Sequence, residues 1–166
     1  LISGAEQPSN GSILRRMSVS WPLAFGGAFQ TALTGYDNLR FICRVYGTDP
    51  AKNVEFVQEF SELGIYLYEP VRSYSSGMRA RLAFAISMLI EFDCFLIDEV
   101  IAVGDQRFHQ KCHDALFRDR LDSAMILVSH DTGIIREYCS SALVLKNGHG
   151  RVFSDLDQAI SIYATL

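Results

Sequence analysis

The sequence predicts an α/β fold in which a mostly parallel sheet carries an inserted helical subdomain. CFLID, AMILVS and ALVLKNG are short apolar runs, and polar stretches of helical character, 105–118 and 132–138, separate them. Strands buried on both faces read as continuous apolar runs, and helices between such runs imply a parallel sheet with covered faces. Between residues 37 and 91 the apolar spacing changes to three or four, which marks helices. The 166 residues, 49% apolar and 20% charged, suffice for one sizeable core.

Each element has a local reason. LISG reads as the last turn of a helix whose body precedes the chain, and QPSNG as a turn feeding a short strand over 12–17. SVSWPLAFGGAFQTALTG has no clear period and reads as a loop around the glycine pair with short extended pieces on each side. Leu39, Ile42, Cys43 and Tyr46 fit a helix capped near Thr34 or Asp37 and stopped at Gly47. A second helix, 50–63, opens on Pro50 and ends before Gly64. YEPVRSYSS reads as a loop, and GMRARLAFAISMLIEF as a third helix with Leu82, Ala85, Ile86 and Leu89 on one face. A hairpin at LKNGHGRVF precedes a last helix, 155–163.

Several function classes recede on composition. A net charge of -4 gives no global pull toward nucleic acid, and no nucleic-acid partner is expected. Cys43, Cys94, Cys112 and Cys139 form no CxxC pair and read as cytosolic thiols. No run reaches the roughly 18 apolar residues a membrane span needs, so a membrane connection is expected through a partner.

Chemistry collects at the ends of the apolar runs. Asp98 and Glu99 follow CFLI, and functional groups of parallel α/β sheets gather at the carboxyl ends of strands. A carboxylate there suits hydrated Mg²⁺, and its neighbour suits polarising water for attack on a phosphoryl group. The alternative is that both cap a helix or pair with Arg and Lys. AMILV is followed by Ser129, His130 and Asp131. The histidine suits a terminal phosphate or an attacking water, and the plainer reading is the company of a helix cap. Ser75, Ser76 and Gly77 lead directly into a helix, where free backbone N–H groups favour an anion. Serine caps do the same with no ligand.

In this order, the pieces resemble the nucleotide-binding subunit of ATP-binding-cassette (ABC) transporters, over essentially the whole chain. YSSGMRARLAFAISM resembles the family's signature motif and the helix behind it, CFLIDE its Walker B strand, IAVGD the loop ending in an aspartate, and LVSHD the switch histidine. SWP, LTGYDNLRF and DEVIAVGDQRFHQKC resemble the branch that exports capsular polysaccharide or O-antigen. The resemblance implies a partial P-loop NTPase of the ABC type, with a helical signature subdomain at 37–91 and an α/β core from 1–36 and 92–166. It implies two copies sandwiching ATP and Mg²⁺ and a membrane permease partner. The chain is expected peripherally at the cytoplasmic face of the bacterial inner membrane, powering polysaccharide export. Glu99 would polarise water, Asp98 hold the Mg²⁺ shell, His130 sense the γ-phosphate, and Asp105 link the two sites. Ser75, Ser76 and Gly77 would serve the partner's ATP, and Gln30 is assigned to the glutamine loop, whose usual position falls nearer Phe25. A non-catalytic cassette-like scaffold is the alternative, and an NTPase with a different phosphate loop a second one.

Departures from the family pattern carry expectations of their own. GxxxxGK[ST] does not occur, and the phosphate loop is expected upstream of Leu1. Ser76 stands where a glycine is usual and brings a β-carbon with little tolerance of left-handed backbone. HQKCHDA places His109, Cys112 and His113 within about one helical turn, yet it lacks a fourth zinc ligand and reads as a solvated or partner-facing surface. Arg72, Arg79 and Arg81 suit phosphate or a partner subunit, with surface charge the plainer reading, and Tyr74 reads as packing for the signature helix.

Overall fold

The computed structural model describes residues 1–23, 29–98, 105–120 and 122–166, in two units, Leu1–Ile126 and Leu127–Leu166. The central sheet has the order β1 (Val19–Pro22), β2 (Cys94–Asp98), β3 (Ala124–Val128), with β1 parallel to β2. The register of β1 on β2 shifts between Val19, opposite Cys94, and Pro22, opposite Leu96. Ser20 patches the irregularity: its buried Oγ accepts the Leu96 N–H at 2.9 Å. Pro22 has no N–H to offer, and the ladder resumes with Leu23 N–H donating to the Leu96 carbonyl at 3.0 Å.

The first strand therefore lies later than the expected 12–17, which is irregular. Ser18 fixes the start. Its N–H and Oγ donate to the Asp93 carboxylate at 2.7 and 2.8 Å, and Asp93 N–H returns to Ser18 Oγ at 2.9 Å. The glycine-pair loop, including Phe25, lies outside the described residues.

Three helices follow in the first unit. Thr34 caps α1 (Gly35–Val45), accepting the Asp37 N–H at 3.0 Å, and Gly47 closes it with φ +70. Asp49 caps α2 (Pro50–Ser61), with proline in the first turn. Two 3-10 turns follow, Gly64–Tyr68 and, within the expected loop 68–76, Val71–Ser73, because Leu67 and Val71 are drawn into the core at 0% exposure. In α3 (Ser76–Leu89) every residue from Leu82 to Met88 is buried, so the expected single apolar face is instead a stretch enclosed on all sides, while the first turns stay at least partly exposed. Phe84 stacks on Phe60 of α2 at 5.8 Å, while Ser87 Oγ accepts Trp21 Nε1–H at 2.9 Å.

Phe108, Cys112 and Leu116 of α4 (Gln106–Phe117) are buried at i, i+4, i+8 spacing. HQKCHDA is accordingly no wholly solvated surface: Cys112 is 0% exposed, and burial pushes its thiol up to about 12.

In the second unit, α5 (Thr132–Tyr138) precedes an antiparallel hairpin of β4 (Ala142–Lys146) and β5 (His149–Phe153). Asn147 and Gly148, at φ 51 and 78, make the tight turn. Helix α6 (Leu156–Tyr163) is tied to α5 by an Arg136–Asp157 ion pair at 2.8 Å. Among the described residues β4 pairs only with β5, and Leu143 and Leu145 are 61% and 65% exposed. The hairpin expected at LKNGHGRVF is present, whereas the expectation that ALVLK is a parallel strand with both faces covered is corrected. An apolar run does not choose its partner, and Asn-Gly makes the local hairpin the nearest one.

Candidate functional site

The amino end of α3 is held from behind. Tyr74 is 3% exposed, its hydroxyl donates to the Tyr66 carbonyl at 2.5 Å, and Arg79 Nη1 donates to the Tyr74 carbonyl at 2.8 Å. Ser75, extended at φ −63 and ψ 165, caps the helix by accepting the Met78 N–H at 3.2 Å. No acidic residue occupies the first turn, which leaves the positive end of the helix dipole without a carboxylate of its own.

Ser76 and Gly77 are both inside α3, and the described non-glycine residues with positive φ are Glu62 and Asn147. The expected backbone penalty at Ser76 therefore does not arise, since right-handed helix suits serine. Gly77 needs no special backbone either. A β-carbon built there meets only Ser75 Oγ, at 3.9 Å. Among the described residues, nothing packed against this position accounts for the missing side chain.

The remaining site residues lie on other elements. Four buried residues of β2 lead to an exposed Asp98 at its end. A hard oxygen donor in that place fits Mg²⁺. Glu99 lies outside the described residues. Asp105 caps α4: one carboxylate oxygen accepts the Phe108 N–H at 2.9 Å, and the other faces Arg81 at 2.8 Å. The Phe108 N–H first, and then Arg81, hold this carboxyl below its usual range. His130 is exposed in the second unit, beside Asp131, which caps α5 through the Gly133 N–H at 2.8 Å.

Gln30 presents an exposed side chain on a fixed backbone. The buried Asn38 accepts the Gln30 N–H at 2.9 Å and donates to the Gln30 carbonyl at 3.2 Å. Asn38 was missed by sequence reasoning, and its signal was an amide on the core face of α1, between Gly35 and Leu39. Arg81 was missed too. It is no loose surface charge, since its side chain is 20% exposed and pairs with both Glu62 and Asp105.

A second feature sits beside the helices. Trp21, Phe29, Phe41, Val45, Tyr46 and Ile86 line an apolar groove of about 260 Å³. No helix among the described residues is long and apolar enough to cross a membrane. Among them, too, no three His, Cys, Asp or Glu side chains gather to hold a metal ion.

No family model matches the chain. It is 60% identical over 166 residues to the capsule polysaccharide export ATP-binding protein CtrD of Neisseria meningitidis serogroup B, covering 100% of this chain and 77% of that protein. The ATP-binding protein BexA of Haemophilus influenzae is 60% identical over 163 residues, covering 98% of this chain and 75% of its own length. The chain belongs to the ATP-binding subunits of polysaccharide-export ABC transporters.

A polysialic acid transport ATP-binding protein, KpsT of Escherichia coli, is 44% identical over 166 residues and is covered to 76%. Solved structures show the same fold for the subunit. The ATP-binding subunit of an ABC transporter superposes with TM-score 0.67 at 20% identity, over 82% of this chain and 60% of that one. A putative metal-chelate type ABC transporter in an inward-facing conformation gives 0.68 at 14% identity, over 98% of this chain and 68% of that one. The partial P-loop NTPase expectation agrees with these matches.

Proposed function

We propose that this subunit binds and hydrolyses ATP, as a pair of copies, to drive export of a cell-surface polysaccharide through a membrane permease. The observation that carries the reading is Gly77, a residue at the amino end of helix α3 whose absent side chain no packing among the described residues requires. A phosphate of ATP bound on the second copy fills that role, receiving N–H groups from the first turn and the Ser75 and Ser76 hydroxyls. Glu99, next to Asp98, polarises the attacking water. Asp98 would hold Mg²⁺, which would supply positive charge against the phosphates. His130 donates to the γ-phosphate. Asp105, 66% exposed despite its two partners, keeps lone pairs for the facing copy. Gln30, held at its backbone by Asn38, completes the polar set.

Such chemistry is positioning and electrostatics, which pairing and separation of the two copies convert into movement. The apolar groove beside Trp21 is where the permease docks, on the helical segment 37–91 and the adjoining core. On this reading the subunit works peripherally at the cytoplasmic face of the inner membrane. The test is reconstitution with a capsule-export permease in vesicles, following labelled acidic glycan and ATP together. ATP-dependent glycan movement is expected, and ATP consumption with no glycan moved would overturn the transport reading.

A further inference from the structure

Glu62 ends α2 in the left-handed region at φ 57, where glycine is the easy residue and a β-carbon costs energy. Three cations surround its carboxylate. Arg81 Nη1 lies 3.4 Å away, Arg107 Nη2 3.3 Å and Lys111 Nζ 3.4 Å. Lys111 also donates to the Glu59 and Phe60 carbonyls at 3.0 Å each, closing the end of α2. A glutamate in a glycine conformation is thus retained beside cations from α3 and α4.

Arg81 is the member that spans both sides. One guanidinium nitrogen meets Glu62 and the other meets Asp105 at 2.8 Å, while the guanidinium plane lies over the Phe108 ring at 4.8 Å. It leaves α3 six residues after Ser75, so the helix that presents Ser75 and Gly77 also grips the residue that starts α4. A planar fork with two separate ends can hold two carboxylates at fixed spacing, which a point charge cannot. The ion pair with Asp105 and the Phe108 N–H bond together fix both oxygens of one carboxylate.

We infer that Arg81 is a positioning residue for ATP turnover: anchored by Glu62, it holds Asp105 in fixed register with the signature helix α3. The inference rests on the proposed ATPase reading. Closure of two copies must bring Ser75 and Asp105 of one chain to the other together, and the Arg81 bridge makes them one rigid piece.

The experiment compares the parent protein with Arg81→Gln, Arg81→Met and Arg81→Lys, each assembled with its permease in vesicles. Arg81→Gln is expected to lower kcat roughly tenfold with the KM for ATP within about twofold, since orientation and not ground-state binding is lost. Arg81→Lys, which restores the charge facing Asp105, should recover part of kcat. Arg81→Met, which keeps only bulk over Phe108, should not. Hydrogen exchange of the Phe108 amide supplies a readout without ATP, and should quicken in the Gln and Met variants. Unchanged exchange in Arg81→Gln, or quickened exchange with parental kcat, overturns the inference, as does equal kcat in the Met and Lys variants. A parent that binds ATP without turnover overturns the catalytic reading and this inference with it. That outcome is distinct from a parent and an Arg81→Gln protein that turn over alike.

Discussion

Among the described residues, apart from its chain neighbours and its own helix backbone, the atom nearest to a β-carbon placed on Gly77 is the Ser75 hydroxyl oxygen, 3.9 Å away, so space for the proposed phosphate remains there. Gly77→Ala tests this directly. Alanine favours a helix over glycine by up to about 1 kcal/mol, less near the first turn. The variant should therefore unfold in urea at the parental midpoint or above it, while ATP-driven pairing of two copies, followed by sedimentation, is lost. Retained pairing would assign the glycine no part in nucleotide contact.

Trp21 is the sole tryptophan and lines the apolar groove, so its emission reports what enters there. A tryptophan-free peptide from a cytoplasmic loop of the permease should shift that emission to shorter wavelength. Val45 is 60% exposed at the groove, and Val45→Glu should abolish the shift without altering the melt. An unchanged spectrum in the parent, with binding seen by calorimetry, would place the permease elsewhere.

Asp93 fastens the start of β1. The Ser18 N–H, and then the Ser18 hydroxyl, hold its carboxyl below the ordinary 3.8. A folded pKa below the unfolded one gives stability that is present above the unfolded value and lost as pH falls through the folded one. The Ser18–Asp93 contribution should thus be whole at neutral pH and fade below about pH 3.8. Asp93→Asn should flatten that part of the acid limb in urea midpoints measured from pH 5 to pH 2. An acid limb identical to the parent's would show that Asp93 titrates no lower when folded.

The sequence showed most of the helices because their signals are local: Thr34, Asp49, Ser75, Asp105, Asp131 and Asp155 each cap the helix that follows them. Strand partners were harder to read. ALVLK is as apolar as CFLID, yet one pairs in an exposed hairpin and the other in a buried sheet, a choice fixed by Asn147–Gly148 and by the Ser18–Asp93 clasp. The 3-10 turns at Leu67 and Val71 escaped notice because tertiary burial, not periodicity, shapes them. The placement of Asp98 at a strand end, and of Ser75 and Gly77 at a helix start, was legible from order along the chain. Arg81 and Asn38 were not, since their partners lie 24 and 8 residues away and no spacing rule joins them.

The central claim is that this subunit hydrolyses ATP with Glu99 as the group that polarises water. Single-turnover hydrolysis, measured beside ATP-dependent pairing in the permease-bound protein, tests it most directly with Glu99→Gln. The amide keeps the side chain's size and removes its negative charge. ATP should still bind and draw two copies together, while turnover falls by roughly 100-fold or more. A Glu99→Gln protein that pairs and hydrolyses ATP at the parental rate would contradict the account, and would remove the catalytic role proposed for Glu99.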